Sequence, residues 1–265
     1  MRPALALLLL SVSSAACTLS GDPPTPAKSD PLGNGIRVAD VQDPKSPHYH
    51  VNQSSTITSA VVVWHDTFDE TMDGKSVGTL YIQDVGSNKP YAGIGIYQPN
   101  YVPASLTVVP GDVLDFTGPY QESPSIGTAM FNSGTFLPQL YKPVGTYRYE
   151  FVPPPPLTVT LSDLIEDSSS KTDGNFAHAR QFEGMLVTIN NVTLTAGVNA
   201  NKRVSYLIED GDGGVPSTGP SVTNELYNLG ATDFPPGSHF KSITGIVTWF
   251  YSFHIAPRTK DDFVQ

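Results

Sequence analysis

The sequence predicts an all-β protein made of two tandem small β-barrels joined by a polyproline linker, and three observations predict it. Gly (23), Pro (24), Tyr (12) and Phe (12) are plentiful, while charged residues make up only 15 % of the chain. That balance favours short strands and tight turns, because β-branched and aromatic side chains fit a pleated surface. A set of sequence landmarks also occurs twice in the same order. Between the two sets stands Val152-Pro153-Pro154-Pro155-Pro156, which forms neither helix nor paired strand, since each proline fixes φ and lacks an N–H.

The landmarks are short but ordered. Val38-Ala39-Asp40-Val41 is answered by Leu161-Ser162-Asp163-Leu164, and Ala60-Val61-Val62-Val63 by Gly184-Met185-Leu186-Val187. Tyr81-Ile82-Gln83-Asp84 is answered by Leu207-Ile208-Glu209-Asp210, Pro110-Gly111 by Pro236-Gly237, and Thr117-Gly118 by Thr244-Gly245. The offset between partners stays between 123 and 127 residues, so duplication of one unit is the economical explanation.

Taken in order, the chain begins with an export signal. Met1-Arg2 supplies one positive charge, residues 4–10 are a short apolar run, and Ser14-Ala15-Ala16-Cys17 closes it with small residues. A membrane span needs about 20 apolar residues, more than this run offers. Cys17 is the single cysteine. The stretch resembles a bacterial lipoprotein signal peptide, in which that Cys carries the lipid. Ser14 stands where such signals have an aliphatic residue, and ordinary cleavage after Ala16 is the alternative. The expected segments are a signal peptide over 1–16, lipidated Cys17 with a flexible Pro-, Gly- and Ser-rich tether over 17–35, a first domain over 36–150, the Pro-rich linker over 151–156 and a second domain over 157–265. Without further cysteines, packing alone must hold both cores.

Each unit has the same expected plan. An acidic lead forms a helical turn, with Ser162 as N-cap in the second unit. A strand follows over 57–64 or 184–194, then another over 79–84 or 204–210. After a variable excursion, Pro-Gly turns into a strand over 112–118 or 239–245, and 243–251 and 252–256 close the second unit. Val113, Asp115 and Thr117 alternate with Leu114 and Phe116, the period of a strand with one buried face. About five strands with Gly at the bends fit a closed barrel, because closure removes exposed edges. The linker is expected to act as a stiff spacer between the domains.

The carrying residues Tyr81-Ile82-Gln83-Asp84, Pro110-Gly111-Asp112 and Thr117-Gly118 recur in the second unit as Leu207-Ile208-Glu209-Asp210 and Thr244-Gly245-Ile246-Val247. There Glu183-Gly184-Met185-Leu186-Val187 precedes them and Ala256-Pro257-Arg258 with Asp261-Asp262 follows. This order resembles the OB-fold domains of secreted bacterial proteins, some found beside extracellular nucleases and others in surface lipoproteins. The resemblance implies two OB-like barrels and names no ligand, since the fold hosts many functions.

Charge narrows the function classes. The net charge is −10, with six Lys/Arg against eleven Asp/Glu over 36–150 and seven against twelve over 157–265. Neither half offers the basic face that a phosphate backbone requires, which argues against nucleic acid as partner. Tyr81, Tyr97, Tyr206, Trp249, Tyr251 and Phe253 are the candidate ligand-binding rings, because barrel faces of this fold stack bases or sugars on exposed aromatics. Trp249, Tyr251 and Phe253 are expected on one face of one strand. Asp66, Asp69 and Asp73 in one loop, with Asp210 and Asp212 in another, are candidate calcium ligands, although solvated acidic turns explain both loops. Otherwise no cofactor is expected. No Gly-x-Ser-x-Gly, His-Glu-x-x-His, phosphate loop or dinucleotide fingerprint occurs. The expectation is a non-catalytic, lipid-anchored cell-envelope protein, at the outer membrane or cell surface, that binds or scaffolds a protein or glycan partner. The alternative is a nucleic-acid-binding accessory of an extracellular nuclease system.

Overall fold

A computed structural model describes residues 35–265 except 71, 73, 75–77, 124–136, 166–177, 201, 210–219, 250 and 251. The first unit holds the helical turn α1 (Val38–Gln42) and strands β1 (Ser54–His65), β2 (Leu80–Asp84), β3 (Gly93–Tyr97), β4 (Asn100–Val102), β5 (Asp112–Ser123), β6 (Leu137–Tyr141) and β7 (Val144–Glu150). The second holds β8 (Leu157–Val159), α2 (Leu161–Leu164), β9 (Leu186–Leu194), β10 (Val198–Ala200), β11 (Arg203–Glu209), β12 (Ser221–Thr223), β13 (Ser238–Trp249), β14 (Phe253–Ala256) and β15 (Phe263–Val264).

Each unit closes into a five-stranded OB-like barrel. In the first, β1-β2-β3-β6-β5 returns to β1, with the β3–β6 pair parallel. In the second, β9-β11-β12-β14-β13 returns to β9, with β12–β14 parallel. Two separate cores fill them: Ile57, Leu80, Ile82, Ile94, Ile96, Leu114, Phe116 and Leu140 in the first, and Ile189, Tyr206, Val222, Phe240, Ile243, Val247 and Ile255 in the second. Strands β3, β6 and β12 fall within stretches the sequence left as excursions. They are short, and Gly93, Gly95 and Pro138 dilute the alternation that marks a strand. β13 is one continuous strand where two were expected.

The motifs are explained by the fold. Asp84 ends β2, and its carboxylate accepts from the α1 amides of Val38 (2.8 Å) and Ala39 (3.2 Å), satisfying helix-start donors that would otherwise stay orphaned. The cap of α2 is Thr160 rather than Ser162: the Thr160 amide donates to Asp163 Oδ2 at 2.7 Å, as Arg37 N does to Asp40 in α1. Near the C-terminus Asp262 accepts from Arg258 N (2.6 Å) and from the Arg258 guanidinium (2.7 Å), which is the use of the closing Pro-Arg…Asp.

One landmark of the repeat needs correcting. Gly111 N donates to Val62 O and Gly237 N to Leu194 O, both at 2.9 Å. Val62 therefore matches Leu194, and β1 matches β9 eight residues further along than the pairing of Ala60 with Gly184 implies. The same register places Ser59 (φ 55°) on Asn191 (φ 55°), two left-handed residues at matching positions of the first strand. It also places Thr56, whose hydroxyl lies 3.0 Å from that of Thr117, on Thr188, whose hydroxyl meets that of Thr244. Gly184 lies before β9 and has a different task.

That task is docking, because the barrels are not held apart. Gly184 sits against β3 so closely that a Cβ on it would lie 2.7 Å from Ile94 Cα, and one on Gly93 would lie 2.6 Å from Gly184 O. The Gln83 side chain is buried and accepts from Leu186 N at 2.6 Å. Val63, Trp64 and Tyr81 of the first barrel pack with Leu186, Leu226, Ile246 and Ala256 of the second. Arg180, on the segment leading to β9, reaches Glu122 and the Tyr120 hydroxyl (3.0 Å) of the first barrel. The proline run joins two bodies that share one buried seam.

Candidate binding surface

The seam decides which barrel faces remain open. Ile94, Ile96 and Leu140 are fully buried, so Gly93, Gly95 and Tyr97 on β3, with Gln139 and Tyr141 on β6, lie on the outward side. The half nearest the second barrel, with Tyr81, Gln83 and Gly93, is covered. The other half is partly exposed: Gly95 pairs with Gln139, and Tyr97 with Tyr141. The Tyr97 and Tyr141 rings lie parallel, 9° apart in plane with centroids 5.9 Å apart. Gln98 Nε2 donates to the Tyr97 hydroxyl at 3.2 Å, and Lys142 Nζ sits 5.0 Å from the Tyr141 centroid.

Of the rings named from sequence, Tyr97 is partly exposed in this pair. Tyr81 is absorbed by the seam. Tyr206, Trp249 and Phe253 are 0 %, 5 % and 0 % exposed and belong to the second core, which corrects the expectation that they meet a ligand. Nor do Trp249 and Phe253 share a strand: they face each other across the β13–β14 pair. Tyr206 inserts its ring among Phe234 and its neighbours and donates its hydroxyl to Gly230 O at 2.5 Å. Tyr251, Cys17, Asp73, Asp210 and Asp212 lie outside the described residues. Tyr141 was missed, because β6 was not recognised and its pairing with β3 joins residues 44 positions apart.

The acidic loop after β1 turns toward the seam. Asp66 is 7 % exposed and accepts from Phe68 N at 3.1 Å, while Asp69 accepts from Gly74 N at 2.7 Å. Among the described residues no three His, Cys, Asp or Glu side chains converge as metal ligands do. Across the seam, Glu70 pairs with Arg203 of β11 at 2.7 Å. His254 of β14 has Nδ1 3.4 Å from Glu225 and Nε2 3.0 Å from Ser252 Oγ. Glu70, Arg203, Glu225, His254 and Ser252 carry no shared motif in the sequence, and folding alone assembles them.

Burial, then the nearby Glu225 charge, pushes Asp66 up to about 6. The same two causes push Glu70 up to about 7 against the pull of Arg203. Burial also raises Glu225, but its hydrogen bond to His254 and that ring's charge outweigh burial and hold it below the usual range. Raised carboxylates bind protons in the folded chain that the unfolded chain has already released. Their stabilising contribution is complete below about pH 4 and is lost as pH rises through about 6 to 7. Melting temperature is therefore expected to fall between pH 5 and pH 7.5. Asp66→Asn/Glu70→Gln should flatten that slope, and an unchanged slope in the double variant would refute the assignment.

No family model matches this chain, and neither does any curated protein. A solved structure described as "Structure of murine DNA binding protein bound with ds DNA" is similar over 77 % of this chain and 93 % of its own, at 10 % identity and a TM-score of 0.30. At that score the alignment bears on neither fold nor function.

Proposed function

We propose that this chain is a non-catalytic, lipid-anchored protein of the cell envelope whose docked barrels form one binding module for a protein or glycan partner. The observation that carries the reading is the Tyr97–Tyr141 pair on the partly exposed half of an otherwise covered sheet face. The duplicated barrel makes the contrast. There the positions that follow the paired residues Val222 and Ile255 are Thr223 and Ala256, and Ala256 packs into the seam. There both positions are buried, whereas Tyr97 and Tyr141 are partly exposed and stand outside the first core, so the two rings serve something other than that core. An excess of acidic residues in both units suits an uncharged or cationic partner better than a phosphate polymer.

The anchor rests on the Ser14-Ala15-Ala16-Cys17 signal. Expressed with its own signal in a bacterium, the wild-type chain should take up an alkyne-labelled fatty acid and sediment with membranes. Cys17→Ser should do neither and should leave the membrane fraction. A wild-type chain that is unlabelled and soluble would remove the anchor from the reading.

A further inference from the structure

One end of the seam between the barrels gathers more carboxylates than its cations balance. The loop after β1 brings Asp66 and Glu70 of the first barrel against Arg203 and Glu225 of the second. Arg203 pairs with Glu70 Oε1 at 2.7 Å, while Glu70 Oε2 is buried with no hydrogen-bond partner. The same guanidinium also acts on Glu225, which has His254 of β14 beside it. Asp66 is 7 % exposed and the Glu70 side chain 14 %. Ionised together, Asp66, Glu70 and Glu225 would share the Arg203 guanidinium where water scarcely reaches, and like charges so placed repel strongly.

The other titratable neighbours leave that imbalance in place. Asp69, on the same loop, adds a further anion near Glu70. Burial raises Tyr81 of β2 and Glu183, just before β9, well above their ordinary values, which favours their neutral forms. Arg258 lies over the Trp64 ring but is committed to Asp262 at 2.7 Å. A proton on His254 adds a cation beside Glu225 and so acts in the same direction as protons on Asp66 and Glu70. The cluster adjoins the apolar contact of the barrels, where Trp64 and Tyr81 pack with Leu186 and Leu226. We propose that Asp66 and Glu70 form a proton-operated clasp with Arg203 and Glu225, which holds the barrels together in mild acid and releases this end of the seam as the two carboxyls ionise. The clasp needs no ligand and is independent of any partner of the module. With Asp66 pushed up to about 6 and Glu70 to about 7, the closed seam holds protons that the open one has released. Closure is therefore favoured at low pH and lost as pH rises through about 6 to 7.

Residue-resolved hydrogen exchange on the full chain in detergent micelles tests the clasp, because the Leu186 amide donates across the seam to Gln83 Oε1. Between about pH 5 and pH 7.5 its protection, corrected for the intrinsic exchange rate, should fall by about tenfold or more. At pH 7.5 it should also exchange faster than the slowest amides of the β9–β13 ladder, as a local opening does and global unfolding does not. Glu70→Gln and Asp66→Asn/Glu70→Gln should keep at pH 7.5 most of the protection that wild type has at pH 5. Arg203→Met should lose protection at pH 7.5 and much less at pH 5. Leu186 protection that ignores pH in the wild-type chain overturns the clasp, and so does exchange in step with the ladder amides. A pH-dependent loss that persists in the double variant overturns it as well, since groups other than these two carboxyls would then work the seam.

Discussion

Replacing Arg180 by Met is expected to destabilise the protein by about 3–5 kcal/mol, the usual result of removing one partner from a buried ion pair. Arg180 and Glu122 have side chains 9 % and 10 % exposed. Glu122 Oε1 also accepts from the Tyr49 and Tyr120 hydroxyls, both at 2.7 Å. Burial pushes the neighbouring Glu183 well above the usual carboxylate range, and Arg180 is what draws it back. Without the guanidinium, two buried carboxylates keep their desolvation cost and lose their cation. The deficit should therefore shrink as pH falls and Glu183, no longer drawn down by the cation, takes up a proton. Urea melts at pH 7.5 and pH 5 measure both effects. Adding Glu122→Gln to the Arg180→Met chain should recover part of the loss, as coupled residues do in a double-mutant cycle. A loss below about 1 kcal/mol at pH 7.5 would mean that solvent reaches the pair and the seam is open there.

Gly184→Val should cost about 2–5 kcal/mol, from two sources that can be separated. Gly184 has φ +76°, a conformation that costs a residue with Cβ about 1–2 kcal/mol. The new Cβ would also lie 2.7 Å from Ile94 Cα and 2.8 Å from Ile94 N, backbone atoms that cannot rotate away. Forcing atoms into a packed contact adds about 1–3 kcal/mol. Gly86, with φ +68° and nothing within 4 Å of its would-be Cβ, is the control: Gly86→Ala should carry the conformational cost alone. Equal losses at the two sites would show that the barrels do not press together at Gly184. A second, lower-temperature transition in Gly184→Val would show that the seam couples the barrels into one unfolding unit.

Both variants lie where sequence reading was weakest. The barrels themselves were legible: composition, Pro-Gly turns and the strand ending in Asp84 all have local causes. Closure of β1 on β5 and of β9 on β13 follows from strands with one apolar face. Within the first strand the reading slipped by eight residues. Gly184-Met185-Leu186-Val187 is as apolar as Ala60-Val61-Val62-Val63, and only hydrogen bonds to Val62 and Leu194 fix the register. Of the candidate surface, Tyr97 was seen and Tyr141 was not. A ring's presence is written in the sequence, but whether it faces a core or a ligand depends on strands far along the chain.

The sequence by itself determined two all-β units, their order, their turns and the absence of disulfides in the body, because propensity, proline chemistry and period-two alternation act over a few residues. Tertiary structure alone decided that the units dock, that Tyr206, Trp249 and Phe253 are core, and that Tyr97 and Tyr141 stack on a partly exposed face. Those outcomes hang on contacts such as Gln83 with Leu186, 103 residues apart. Burial is a property of what packs against a side chain, and in this protein the partner comes from the other barrel.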